Sequence, residues 1–256
     1  MRLLPVSALA DNYVWLLADA HGDAIAVDPG DAAPVTAALR AQGWQLRAIL
    51  LTHHHADHVG GVEVLVKGTP GITVFAPQDE RIAAVTQQVG DGDRIAIDRP
   101  ACRFEVIAVP GHTRSHVAYH GHGLLFCGDT LFSIGCGRLF EGTPAQMLAS
   151  LDRLRTLPDA TRICCGHEYT LSNCRFALTI EPDNAALRER HADAIRQRDR
   201  GEPTVPTTLA SELACNPFLR TDQPAVAARL GATGPTGADR AARFGALRAM
   251  KDAFRA

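Results

Sequence analysis

The stretch Thr52-His53-His54-His55-Ala56-Asp57-His58, THHHADH, packs four histidines and one carboxylate into seven residues directly behind the apolar run RAILL at residues 47–51. Taken alone, so much imidazole fits a metal cluster, a proton relay or a polar loop rich in histidine. His53 and His55 lie two residues apart, so in extended backbone they point to the same side and can grip one ion. Asp57 and His58 can reach a second ion as the chain turns into a helix predicted to begin near Val59. On this geometry His54 points away.

Three further motifs decide between the readings. VPGHT (residues 109–113), FCGDT (126–130) and CCGHEYT (164–170) each place one His or Asp after a glycine at the end of a predicted strand. Glycine there allows a sharp turn that brings a short side chain to a shared sheet edge. Four strand-end loops thus offer His53, His55, Asp57, His58, His112, Asp129 and His167. Five imidazoles and two carboxylates are too many for one tetrahedral ion and suit two ions sharing a bridging carboxylate. Zinc, iron and manganese all accept this donor set.

The rest of the chain bounds the reading. With 256 residues, 46% hydrophobic and 21% charged, it can bury a full core. A formal net charge of -2 argues against nucleic acid as an obligate partner. Seven cysteines, odd in number and without a C-x-x-C pair, form neither a disulfide framework nor a zinc ribbon and fit a reducing cytoplasm. The N-terminal MRLLPVSALADN is broken by Pro5 and leads into strand-like NYVWLLAD, so it reads as mature structure and not as a signal peptide. No run of roughly 18 apolar residues could span a membrane.

YVWLLAD, AIAVD, RAILLT, ITVFA, FEVIAV, LLFCGD and RICCGH read as strands, several of them near-continuous apolar runs covered on both faces. DAAPVTAALRAQG, capped at Asp31 or Ala32, and TPAQMLASLDRLRTL, opened by Thr143-Pro144, read as helices. The class is α/β. Beyond about residue 170 the strands stop: NCRFALTI, EPDNAALRERHADAIRQRDRG and GADRAARFGALRAMKDAFRA read as helices, separated by proline-punctuated connections. Residues 1–170 are therefore expected to form the catalytic domain and 171–256 a small helical region.

THHHADH, PGHT, GDT and GHEYT, in this order, resemble the metallo-β-lactamase superfamily, whose H-x-H-x-D-H signature is matched at every fixed position. DNYVWLL, GDTLFSIGCGRLFEGT, CGHEYTLSNCRFA, EPTVPTTL, NPFLR and the Arg248/Lys251 pair are similar more narrowly to the hydroxyacylglutathione hydrolase family. That resemblance implies an αββα sandwich with a helical C-terminal addition. It implies one metal on His53, His55 and His112, a second on Asp57, His58 and His167, and Asp129 between them. The activity implied is hydrolysis of S-(2-hydroxyacyl)glutathione thioesters, S-lactoylglutathione foremost, in methylglyoxal detoxification. Two divalent ions are the expected cofactors, zinc first, with iron or manganese as alternatives.

Asp57 is expected both to ligate and to orient the attacking water. Asp28 in VDPG and His116 in HTRSH are candidates to support the ligands, or are merely structural. By position, the resemblance puts Arg138, Phe140, Tyr169, Arg248 and Lys251 around glutathione; the three-residue spacing of Arg248 and Lys251 does place them on one helix face. Arg138 stands where some relatives have lysine, Phe140 where some have tyrosine, and Ser115 where glycine is common. The partner expected is a small thioester, with no nucleic acid and no membrane, bound by a cytoplasmic monomer. The rival readings are another hydrolase of the same fold (a lactonase or β-lactamase), a persulfide dioxygenase with a single iron, and a metal-storage protein. A full second ligand set argues against the single-iron reading, and ligands drawn from four distant loops argue against storage.

Overall fold

The structure, a computed structural model, describes residues 1–230 and 240–255. Residues 237–239 and 256 of the predicted last helix lie outside the described residues. The chain divides into two compact units: Met1–Ala108, Ser115–Gly128 and Gly166–Glu168 form one, and Val109–Arg114, Asp129–Cys165 and Tyr169–Ala256 the other.

In the first unit, β1 (Arg2–Ala8), β2 (Asn12–Ala18), β3 (Asp23–Val27), β4 (Gln45–Leu50), β5 (Thr73–Pro77) and β6 (Gln87–Val89) form one sheet in sequential order. The first three strands are antiparallel neighbours, and from β3 onward the pairs are parallel. Parallel neighbours need crossovers. Here α1 (Ala32–Gln42) joins β3 to β4, and α2 (Ala56–Val59) and α3 (Val62–Gly68) join β4 to β5. Asp31 caps α1 by accepting the Ala33 N–H, and Gly43 ends it at φ +67°, the left-handed stop that glycine adopts without strain.

Every residue of β2 and β3 is buried, which is why their sequences do not alternate. Leu16, Ala26, Ile49 and Val74 on one face pack with Val35 and Leu39 of α1 and Val62 and Leu65 of α3. Each such large side chain contributes about 1.5–3 kcal/mol by leaving water. A second sheet of the same unit runs antiparallel through β7 (Arg94–Asp98), β8 (Ala101–Ala108), β9 (Val117–Gly121) and β10 (Leu124–Gly128). Tyr119 of β9 is fully buried and donates its hydroxyl to the Leu51 carbonyl, 2.8 Å away at the end of β4.

The second unit holds the two-residue strands β11 (Leu131–Phe132) and β12 (Gly135–Cys136), α4 (Pro144–Leu154), β13 (Arg162–Cys165), α5 (Thr170–Ile180) and α6 (Ala185–Asp199). β14 (Thr207–Thr208), α7 (Leu209–Cys215), a 3-10 turn at Pro217–Leu219, α8 (Pro224–Arg229) and α9 (Arg240–Ala253) complete it. Thr143 and Gln146 form a reciprocal capping box at the start of α4. The β11–β12 hairpin turns at Ile134, held at φ +59°. Buried Glu212 accepts the Ile134 N–H at 2.7 Å and one amide hydrogen of Asn216 at 3.0 Å, and Asn216 also reaches the carbonyls of Phe132 and Gly135.

Three expectations need correction. The helix after the histidine run starts at Ala56, not near Val59, and it breaks at Gly60–Gly61. A Cβ at Gly61 would sit 2.5 Å from the Ala32 nitrogen and 2.6 Å from the Pro29 carbonyl, so close approach to the neighbouring loop ends the helix. Strands do not stop at residue 170, because Thr207 pairs with Ile163. β6, β7 and β9 are strands beyond those expected: QQV in β6 is short and polar, while RIAID in β7 alternates exposed and buried residues.

Candidate metal centre

The end of β4 delivers Thr52–His55 in irregular backbone, and His55 is the residue before the first turn of α2, which carries Asp57 and His58. The loop after β13 supplies His167. Asp57, His58 and His167 each offer a ligand atom within 4.8 Å of the other two. The Asp57 Oδ2 lies 3.6 Å from His58 Nε2 and 3.4 Å from His167 Nε2. His53 is fully buried; its ring centroid lies 4.7 Å from that of His55 and 4.2 Å from that of His58. His54 faces Asp79 instead, with Nδ1 at 3.5 Å from the carboxylate, which also accepts the Ser115 hydroxyl at 2.6 Å.

The outer hydrogen bonds of these rings fix which nitrogen can bind a cation. His58 Nδ1 is 3.0 Å from Asp28 Oδ2, and His167 Nδ1 is 2.8 Å from Asp11 Oδ1. A carboxylate accepts only, so each Nδ1 carries the proton and Nε2 keeps the lone pair. Thr52 Oγ1 donates its hydrogen to Asp28 Oδ2 at 2.7 Å, so its contact with His53 Nδ1 at 3.0 Å requires the ring to be the donor. Nε2 is again the lone-pair nitrogen. His116 stacks on His53 with ring centroids 4.6 Å apart.

Asp28 sits at φ +51° and accepts the Thr52 N–H as well, at 2.8 Å. Two residues on, a Cβ at Gly30 would fall 1.8 Å from the Asp57 carbonyl oxygen, so only glycine lets VDPG pass under the ligand loop. These lone-pair nitrogens beside a carboxylate, each held by an outer acceptor, fit a divalent metal ion.

In the second unit His112 Nε2 is 3.5 Å from Asp129 Oδ2, and its Nδ1 donates to the Arg138 carbonyl at 2.8 Å. Phe140, exposed, lies edge-on to His112 at 5.2 Å, and Tyr169 lies edge-on to Phe132 at 5.3 Å. α9 brings Arg248 and Lys251 close to Arg138. Asp252 Oδ1 is 3.0 Å from Arg248 Nη2 and 3.4 Å from Arg138 Nε. Arg248 is buried, and its Nη1 donates to the Cys136 carbonyl at 2.7 Å. Lys251 donates to the carbonyl and hydroxyl of Ser172. Burial, with Arg248 and Arg138 nearby, pulls its ammonium pKa down to about 8. Three cations against one carboxylate leave this cluster positive.

The family model for the metallo-beta-lactamase superfamily matches residues 10–167, and the one for the hydroxyacylglutathione hydrolase C-terminus matches residues 168–254. A hydroxyacylglutathione hydrolase from Xanthomonas euvesicatoria pv. vesicatoria (strain 85-10) is 51% identical over the whole of both chains. The chain belongs to the hydroxyacylglutathione hydrolase family. Among solved structures, the BLEG-1 B3 metallo-beta-lactamase superposes with TM-score 0.66 at 23% identity, covering 85% of this chain and 99% of its own. TTHA1623, solved in a di-iron-bound form, gives TM-score 0.56 at 29% identity over 64% of this chain and 91% of its own. The fold of this hydroxyacylglutathione hydrolase family member is thus the metallo-β-lactamase fold, α/β in class, with a helical C-terminal region.

Sequence reasoning missed several residues that hold the candidate site of this hydroxyacylglutathione hydrolase family member in place. Asp11 and Asn12 reach His167 and Asp57 across 156 and 45 positions. Their only local signal is a polar pair at the mouth of a fully apolar strand. Asp252, beside the cationic cluster, carries no signal beyond lying on a predicted helix, and Ser172 stands just before the predicted helix NCRFALTI. No helix among the described residues is long and apolar enough to cross a membrane.

Proposed function

We propose that the protein hydrolyses S-(2-hydroxyacyl)glutathione thioesters, S-lactoylglutathione foremost, to the 2-hydroxy acid and glutathione, as a step in methylglyoxal detoxification. Full-length similarity to hydroxyacylglutathione hydrolases supports the substrate. The observation that carries the chemistry is the Asp57, His58 and His167 set, whose two imidazoles are both locked with Nε2 as the ligating nitrogen. In this reading His53, His55 and His112 would hold one ion, Asp57, His58 and His167 would hold the other, and Asp129 would contribute to both. Zinc is the proposed metal at both sites. When bound, such a pair supplies an activated water and an electrophilic contact for the carbonyl oxygen.

The chain's own residues do the rest. Asp57, its carboxylate held by Asn12, orients the water and accepts its proton. Arg138, Arg248 and Lys251 bind the carboxylates of glutathione, since charge-assisted hydrogen bonds give both affinity and orientation. Phe140 and Tyr169 pack against the tripeptide. The leaving thiol ionises near pH 8.5, so departure as thiolate needs no acid from the protein. Residues 1–170 act as the catalytic part and 171–256 as the glutathione-binding region. The reading takes the protein as a cytoplasmic monomer, in keeping with seven buried cysteines.

The test is release of free thiol from S-lactoylglutathione by purified protein, with metal content measured on the same sample. Two metal equivalents without thiol release would remove the substrate assignment. Full activity at one equivalent would favour a mononuclear site.

A further inference from the structure

Three consecutive residues at the β1–β2 turn each touch the Asp57/His58/His167 set or a residue beside it. Asp11 Oδ1 accepts the His167 Nδ1 proton at 2.8 Å, and the Asp11 carbonyl accepts the Glu168 N–H at 2.9 Å. Asn12 Nδ2 donates to Asp57 Oδ2 at 3.0 Å and to the Asp57 carbonyl at 3.2 Å. Tyr13 donates its N–H to the Gly166 carbonyl at 2.8 Å and its hydroxyl to Glu168 at 2.9 Å. Asn12 and His167 also form an isolated β-bridge.

The turn that presents these residues is strained. Leu9 has φ +51° and is exposed, a left-handed conformation that a leucine keeps only where the surrounding structure over-determines it. The same turn therefore fixes two ligands that stand far apart in the sequence, one through its ring proton and one through its carboxylate. His53 is held differently, by Thr52 and by stacking on His116.

Resting on the metal assignment above, we propose that Asp11 and Asn12 are positioning residues for the second ion alone, and that they set its affinity separately from the affinity of the His53/His55 ion. Asp11 fixes the tautomer and direction of His167. Asn12 fixes the rotation of the Asp57 carboxylate, so that Oδ2 stays on the His58 and His167 side. Tyr13 ties the His167 loop to β2, directly after both.

The experiment is a chelator titration of the zinc-loaded full chain, with bound metal counted by mass spectrometry, for the unchanged protein, Asp11→Ala, Asp11→Asn and Asn12→Ala. Circular dichroism is recorded on the same samples. The expected result is that one equivalent binds about 10–100-fold more weakly in Asp11→Ala and Asn12→Ala, the size typical for an outer partner of a ligand. The other equivalent is unchanged, and so is the fold. Asp11→Asn, which keeps an acceptor for His167 in an isosteric side chain, should recover most of the loss. Excess zinc should restore turnover in all three.

Loss of both equivalents together, or an unchanged second equivalent in the variants, would overturn this proposal and leave the binuclear reading standing. An unchanged protein that never holds two equivalents would overturn both.

Discussion

A single carboxylate, that of Asp28, holds His58 and Thr52 at once: Oδ2 lies 3.0 Å from His58 Nδ1 and 2.7 Å from Thr52 Oγ1, and Thr52 in turn holds His53. Asp28→Asn replaces one oxygen by a donor: at the Oδ1 place it would oppose the Thr52 N–H, and at the Oδ2 place it would lose the bonds from both His58 and the Thr52 hydroxyl. The His58 ring is then driven towards the tautomer that protonates Nε2. Metal affinity should fall about 10–100-fold, as read by competition with a chelating dye.

His54 and His58 separate the proposed bystander from the proposed ligand. His54→Gln should keep two metal equivalents and kcat/KM within about threefold, because its contact is with Asp79. His58→Gln should retain one equivalent. Equal metal loss from the two changes would mean that the register of the loop has been misread.

In its proposed place at glutathione, Lys251 makes substrate capture pH-dependent. Its pKa of about 8 means that the ammonium is present below that pH and lost above it. The kcat/KM of an anionic thioester should therefore fall as pH rises through about 8, since this ratio reports the free enzyme. The fall should appear in KM and not in kcat. Lys251→Arg keeps its charge and should flatten that limb of the profile. For stability the sign is opposite. Between about 8 and the ordinary 10.5 the folded protein binds fewer protons than the unfolded chain, so this group's contribution to stability rises with pH across that window.

Glu212 is fully buried, and burial raises its carboxyl pKa. Glu212→Ala would strand the Ile134 N–H at the tip of the β11–β12 hairpin, costing about 3 kcal/mol. For a chain of this size that lowers Tm by roughly 6–12 °C, measurable by calorimetry on zinc-loaded protein. A shift under about 2 °C would mean that the hairpin does not depend on Glu212.

The ligand loop was legible because its chemistry is local: THHHADH carries its donors within two turns of chain. The helix caps at Asp31 and Thr143 and the apolar runs of β2 and β3 were legible for the same reason. β9 was not, because VAYHG mixes polar and apolar residues and becomes a strand only between β8 and β10. β14 exists solely because Thr207 and Thr208 meet β13. The early start of α2 was hidden because Ala56 and Asp57 look like loop residues until the fit of Gly30 and Gly61 against their neighbours is known. Asp11 and Asn12 were missed because a hydrogen bond across 156 or 45 positions leaves no trace in a window of sequence.

Arg138 serves two parts of the site with different atoms. Its carbonyl holds His112, while its side chain faces Asp252 and the cationic cluster. Any residue at this position supplies the same carbonyl, so the chemistry is insulated from what the side chain becomes. With Arg138 in its proposed place at glutathione, substrate preference could drift at residue 138 from one generation to the next without the enzyme passing through an inactive ancestor.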